Sequence, residues 1–260
     1  MGALTSKLFL LSGSDLKITS AVTVKHPTVA DVLSINRGFF CEELYWSYIS
    51  AILSDPYDYM VYLDDKKIDY ETVSAFQVFA MRWADMNAKK IAKSDESANF
   101  MRDALTFYFG NHDFDIITVD NTPFLIDRRD SSWVMNDEIF DIATDFIFHI
   151  NCLERTDKIK PGNAGFKRIL IEDMRAEQKR KVRDKQSNNP VTHIGDALNA
   201  VLSGGSGAIN PANYAETHIY QLLSASHAIQ RKMVVQSMLN GIYTGMMKAD
   251  KITNEELRWA

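Results

Sequence analysis

The densest group of side chains able to do chemistry is His112-Asp113 with Asp115, one imidazole and two carboxylates in near succession. Such a set could hold a divalent ion or move a proton. The same residues also suit a turn, because Asn and Asp just ahead of a strand hydrogen-bond their own backbone. Turn chemistry is the favoured reading. The other histidines, His26, His149, His193, His218 and His227, show no ligand spacing of the His-x-x-x-His kind, and His149 sits in an apolar helical run. The expectation is a chain with no catalytic residue, no metal site and no cofactor, and so not an enzyme.

Four further motifs reduce to structure. Gly204-Gly205-Ser206-Gly207 resembles a phosphate loop, but Ala208-Ile209-Asn210 stand where the Lys-Ser or Lys-Thr should follow. Ser12-Gly13-Ser14 lacks the flanking glycines of a nucleophile elbow. Asp64, Asp65 and Asp69 lie at helix ends, where carboxylates serve the backbone. Gly241 and Gly245 form a Gly-x-x-x-Gly that marks close packing of two helices in a water-soluble setting. Cys41 and Cys152 fall in apolar helical patterns, as buried thiols of a reducing compartment do.

The segment from Phe166 to Lys185 is the strongest electrostatic feature, with eight basic and four acidic residues. Its candidate docking residues are Lys167, Arg168, Lys179, Arg180, Lys181 and Arg183. Nucleic-acid binding calls for several phosphate contacts and usually interleaved aromatics. Phe166 is the one aromatic there, and Glu172, Asp173, Glu177 and Asp184 interrupt the charge. A solvated helical face comes first, a docking surface for an acidic partner second and nucleic acid last.

Composition sets the frame for these residues. The chain has 260 residues, 46% of them apolar, enough for one large domain or two modest ones. Lys plus Arg number 29 against 34 Asp plus Glu, a net charge of -5, so any electrostatic function is local. The Lys7-Leu11 run is too short for a signal segment, and no stretch of about 18 apolar residues occurs. A soluble, cytoplasmic protein is expected.

The elements follow from periodicity and caps. Residues 16–24 alternate and predict one strand, and Thr28 with Asp31 predicts a capped short helix over 29–35. A helix over 42–53 places Leu44, Tyr45, Tyr48, Ile49 and Ile52 on one face. Asp55-Pro56 predicts the start of the next helix, continued by Tyr57 to Leu63, and Asp69 is expected to cap a longer one reaching about Ala92. Ser94-Asp95-Glu96 begins another that Gly110 stops. Ile116–Val119 and Phe124–Ile126 flank Asp120-Asn121-Thr122-Pro123 as a hairpin, and Asn136 caps a helix ending near Leu153. Pro161, Gly162 and Gly165 mark a break before the charged helix, read as a solvated projection. A short helix over 193–202 follows, and the C-terminal third is expected as two helices, 212–230 and 231–248.

The fold class expected is mainly α (α+β), a multi-helix body with a small β-hairpin near 113–134 and an N-terminal strand. The expected divisions are a body over 1–157, a charged helix and linker over 158–190, and a helical region over 191–260. Val235, Met238, Ile242 and Met246 form a stripe in the last third, with Met233, Met247 and Trp259 nearby. Methionine is the adaptable side chain of promiscuous grooves, so these seven are the candidate partner-binding residues, although ordinary core is the commoner role of such a stripe.

Three stretches carry a family resemblance: Val24-Lys25-His26-Pro27-Thr28-Val29-Ala30-Asp31-Val32; Tyr45-Trp46-Ser47-Tyr48 through Asp55-Pro56-Tyr57-Asp58 to Leu63-Asp64-Asp65; and Ile219-Tyr220-Gln221 through Gly241-Ile242-Tyr243-Thr244-Gly245 to Leu257-Arg258-Trp259. Together they resemble tail assembly chaperones from the tail-morphogenesis modules of bacteriophages of Gram-positive hosts. The resemblance covers most of the chain, the charged segment varying. It implies a non-enzymatic protein of the infected host's cytoplasm that binds the helical tape measure protein until the tail tube polymerises around it. The alternatives are a structural tail or head-tail component of the virion, and a nucleic-acid binder using residues 167–185. A homo-oligomer is compatible with any of these.

Overall fold

A computed structural model describes residues 6–92, 100–120, 122–153, 161, 163–184, 193–204 and 209–244. It is mainly α-helical with two small antiparallel sheets. No helix among the described residues is long and apolar enough to cross a membrane.

The N-terminal end folds back on itself. Helix α1 (Lys7–Ser12) is capped by the Ser6 hydroxyl and ends at Gly13, whose φ of 72° is left-handed. Strands β1 (Leu16–Lys17) and β2 (Thr23–Val24) then pair as a tight hairpin, not the single strand expected over 16–24. The Thr19 hydroxyl accepts from the amides of Ala21 (3.2 Å) and Val22 (2.9 Å), which turns the chain mid-segment. Thr28 and Asp31 form the expected reciprocal capping box on α2 (Val29–Ser34).

Helix α3 (Cys41–Leu53) buries Tyr45, Tyr48, Ile49 and Ile52, the predicted face. Chain around Asp55-Pro56 makes turns rather than a helix start, the Asp55 carboxylate accepting from the Tyr57 amide, and α4 begins later (Met60–Asp65). Likewise Asp69 caps no long helix. Helix α5 (Ala75–Ala92) starts after Ser74, whose hydroxyl accepts from the Gln77 amide while the Gln77 side chain accepts from the Ser74 amide. This is the same reciprocal device with glutamine in place of an acid. Helix α6 (Phe100–Phe109) stops at Gly110, with φ of 92°; its expected start at residues 94–96 lies outside the described residues.

Strands β3 (Phe114–Val119), β4 (Thr122–Asp127) and β5 (Val134–Met135) make a sheet in that order. Val119 and Thr122 flank a two-residue turn and so form a hydrogen-bonded pair, as then do Ile117 with Phe124 and Asp115 with Ile126. Pro123, which has no N–H, falls at a non-bonded position opposite Thr118, where the ladder loses nothing. Helix α7 (Asp137–Ile150) is capped by Asn136 as predicted, and its Phe140, Phe146, Ile147 and Ile150 are buried. They join α3, α5 and α6 in one core.

Helix α8 (Ala164–Asp184) does not stand clear of the body along its whole length. Leu170, Ile171 and Met174 pack on a second apolar cluster of Met60, Leu63, Tyr70 and Val78, so its first half docks on α4. Helix α9 (His193–Gly204) packs along α10 (Ile219–Tyr243), which is one unbroken helix where two were expected. Residues 231–243 continue the helix because nothing there, neither proline nor a left-handed glycine, interrupts it. The Glu42 carboxylate of α3 accepts from the amides of Ile194 (2.5 Å) and Gly195 (3.3 Å), closing the first turn of α9 from across the fold. Replacing Glu42 by alanine should lower stability by about 1–2 kcal/mol, the range for losing a helix cap. Equilibrium urea unfolding measures it, and an unchanged midpoint would show that the contact contributes nothing.

Candidate functional site

The histidine and carboxylates singled out by the sequence are separated by the fold. Asp113 pairs with Arg102 (3.1 Å), and Asp115 takes a forked contact from Arg128 (2.6 and 3.1 Å). His112 turns instead to Asp127, Nδ1 to Oδ2 at 2.7 Å. Asp127 is nearly buried and also accepts from the amides of Asp113 (3.0 Å) and Arg129 (2.9 Å). The Arg129 amide, then His112, then the Asp113 amide hold its carboxyl down to about 2, against the effect of burial. The ring of His112 leans on Trp133 at 5.1 Å between centroids. These contacts make a clip at the root of the hairpin. Among the described residues no group of three His, Cys, Asp or Glu side chains could hold a metal ion.

Asp127 is the residue that sequence reasoning missed. A signal existed, because a turn centred between residues 120 and 121 sets Asp127 across from Phe114, two places from His112. Cys41 and Cys152 are free and half-buried. Burial pushes the Cys152 thiol up to about 11, so it is protonated and unreactive.

A buried histidine lies between the first hairpin and α10. His26 is almost wholly buried, with its ring 4.8 Å from that of His218 and edge-on to Phe146 at 5.8 Å. Desolvation and the neighbouring His218 lower it to about 4, outweighing the Ser14 backbone and Asp15. His218 Nδ1 bonds the His26 carbonyl oxygen (2.8 Å), Ile219 donates to Pro27 and Val29 donates to Thr217. The segment after the hairpin is thus zipped to the start of α10. A Cβ at Gly13 would lie 2.3 Å from the His218 ring, so only glycine admits this approach.

The basic helix is largely answered from within over its first half. Lys167 pairs with Asp69 and with Glu71 (2.7 Å), and its ammonium sits 4.5 Å from the centre of the Tyr70 ring. The Lys167 ammonium and the Glu71 amide hold the Asp69 carboxyl below its ordinary value. Arg175 bridges Asp64 (3.0 Å) and Asp65 (2.7 Å), and Arg168 pairs with Glu172 one turn on (3.1 Å). The acids expected at helix ends therefore also hold α8. Lys179 and Arg180 are exposed. Lys181 and Arg183 are helical, with side chains outside the described residues.

Helix α10 divides by exposure. Ile219, Leu222, Leu223 and Ser226 are buried, anchoring the first half. In the second half Val235 is buried and Met238 and Ile242 are half-buried, so these three candidate residues face the body. Met233 and Val234 face outward, 64% and 52% exposed, and Tyr243 is more exposed still. Met246, Met247 and Trp259 lie outside the described residues. Phe39 and Phe40 form a second apolar protrusion ahead of α3, where Asn36, Arg37, Gly38 and Phe40 all take positive φ. Comparison with known proteins adds no kinship to this geometry: no known protein family, no curated protein and no solved structure matches the chain.

Proposed function

We propose that this chain is a non-enzymatic protein-binding protein, a phage tail assembly chaperone that holds the tape measure protein while the tail tube forms. The single observation that supports adhesion is the pair Met233 and Val234, adjacent and more than half exposed on a helix whose Val235, Met238 and Ile242 pack inward. A holdase depends on adaptable apolar surface that stays available in the free protein, and a flexible thioether beside a valine supplies it. The identity of the partner rests on the family resemblance. Neutralisation of Lys167, Arg168 and Arg175 by neighbouring acids supports protein binding over nucleic-acid binding, because fewer cations remain to displace counterions from a phosphate backbone.

Co-expression with the tape measure protein of the same phage tests the reading. The complex should co-elute and keep the tape measure protein in solution. Met233→Asp should weaken it by roughly 30-fold, the scale of an interface hot spot of about 2 kcal/mol, while changing stability by no more than about 0.5 kcal/mol as surface substitutions do. A tape measure protein that stays insoluble and forms no complex would end the proposal.

A further inference from the structure

Strand β3 lies at one edge of its sheet, with β4 on its inner side and, among the described residues, no strand on the other. Its bonded pairs with β4 are at Asp115, Ile117 and Val119, so the N–H and C=O groups of Ile116 and Thr118 point to the open edge. The last three residues of β3 are exposed, Ile117 by 40% and Val119 by 51%. Natural proteins guard such edges with lysine, proline or a bulge. Ile116-Ile117-Thr118-Val119 carries none of these. The nearest charge on the strand, Asp115, is held by Arg128 on β4.

We infer that the chain forms a two-fold dimer in which the open edge of β3 pairs antiparallel with β3 of a second copy. The backbone groups select an extended strand as the occupant, and the side chains select this one. With the axis at Ile117, that residue meets the partner's Ile117 at a non-bonded position, where Cβ atoms approach most closely. Ile116 and the partner's Thr118 exchange both backbone bonds, and Val119 faces the partner's Asp115. Apolar meets apolar at the centre, and no like charges face one another. An axis at Ile116 would instead bring Phe114, wholly buried in the body, against the incoming strand. An axis at Thr118 would set Ile116 against the partner's Asp120, a turn residue of positive φ, so Ile117 is the axis that keeps both bonded pairs within β3. Pairing merges two three-stranded sheets into one of six strands and leaves neither β3 edge open. It is independent of the α10 surface.

Sedimentation of the full chain over roughly 1–100 μM, where an interface of modest size dissociates, should show the mass rising from 29.5 kDa toward twice that value. Thr118→Pro removes one outward N–H and leaves the ladder to β4 intact, so it should stay monomeric with an unchanged urea midpoint. Ile117→Lys, which alters no backbone group, should also be monomeric and covers the case in which the proline variant unfolds. Ile117→Cys should form an intermolecular disulfide under mild oxidation, because the paired Cα atoms lie within bridging range. Met233→Asp should dimerise like the parent, which keeps this result separate from the chaperone proposal. A parent chain monomeric throughout would overturn the inference. A dimer persisting in Ile117→Lys would place the interface elsewhere and overturn it equally.

Discussion

Replacing Phe140 by alanine should lower the unfolding free energy by about 3–5 kcal/mol, the range for truncating a fully buried aromatic. The Phe140 ring has no exposure and sits 4.8 Å from Phe76 and 5.3 Å from Phe79 between centroids, at the contact of α5 with α7. Alanine leaves a hole lined by two rings that themselves stack on one another. Neither helix can move in to fill it, because α7 is capped at Asn136 and the Ser74 hydroxyl bonds Asp137 at its first turn. Total stabilities of about 5–15 kcal/mol are usual, so this one change removes a large share. Urea unfolding followed by circular dichroism should show a lower midpoint with an unchanged slope. A loss below about 1 kcal/mol would mean that the α5–α7 contact does not hold the body together.

Acid should destabilise the chain through His26 before the carboxylates act. Its ordinary value of 6.5 falls to about 4 in the fold. Between those values the unfolded chain binds a proton that the folded chain refuses, so stability drops as pH falls through that window. The shift corresponds to about 3 kcal/mol once pH reaches 4, at 1.36 kcal/mol per unit. Asp127 follows the same sign, since the fold lowers its value as well. Its contribution is complete above 3.8 and disappears as pH falls toward 2, a separate and lower window. Unfolding midpoints measured from pH 7 to pH 4 should decline in the parent and stay nearly level in His26→Leu, which has no proton to take up. Equal slopes in the two proteins would show that His26 is not buried as a neutral ring.

The elements that could be read from sequence are those whose determinants lie within one turn. Thr28 with Asp31, Asn136, Gly110 and the aromatic face of α3 act on neighbours three or four residues away, and each stands where expected. The errors come from partners far along the chain. Asp69 looked like a helix cap because Lys167, its actual counter-charge 98 residues on, cannot be inferred without the docking of α8. The turn reading of His112, Asp113 and Asp115 left their partners unseen for the same reason, Arg102 and Arg128 being brought in by α6 and β4. The hairpin over 16–24 hid inside an alternating pattern because Thr19 is both a strand former and a turn former. On α10 the apolar stripe was visible, but its direction was not. Periodicity finds which residues share a face and is silent on whether that face meets the body or water.

The unbroken course of α10 from its root at His218 to Tyr243 gives the molecule a stiff rod of about 38 Å, at 1.5 Å per residue. Its near end is clamped to residues 26–29 and against Gly13, and its far end is only partly seated. A load applied beyond Met233 is therefore not absorbed by a hinge at mid-length. It arrives as leverage at the clamp, where the two imidazoles in tilted contact and the side-chain-free approach of Gly13 leave little room to yield.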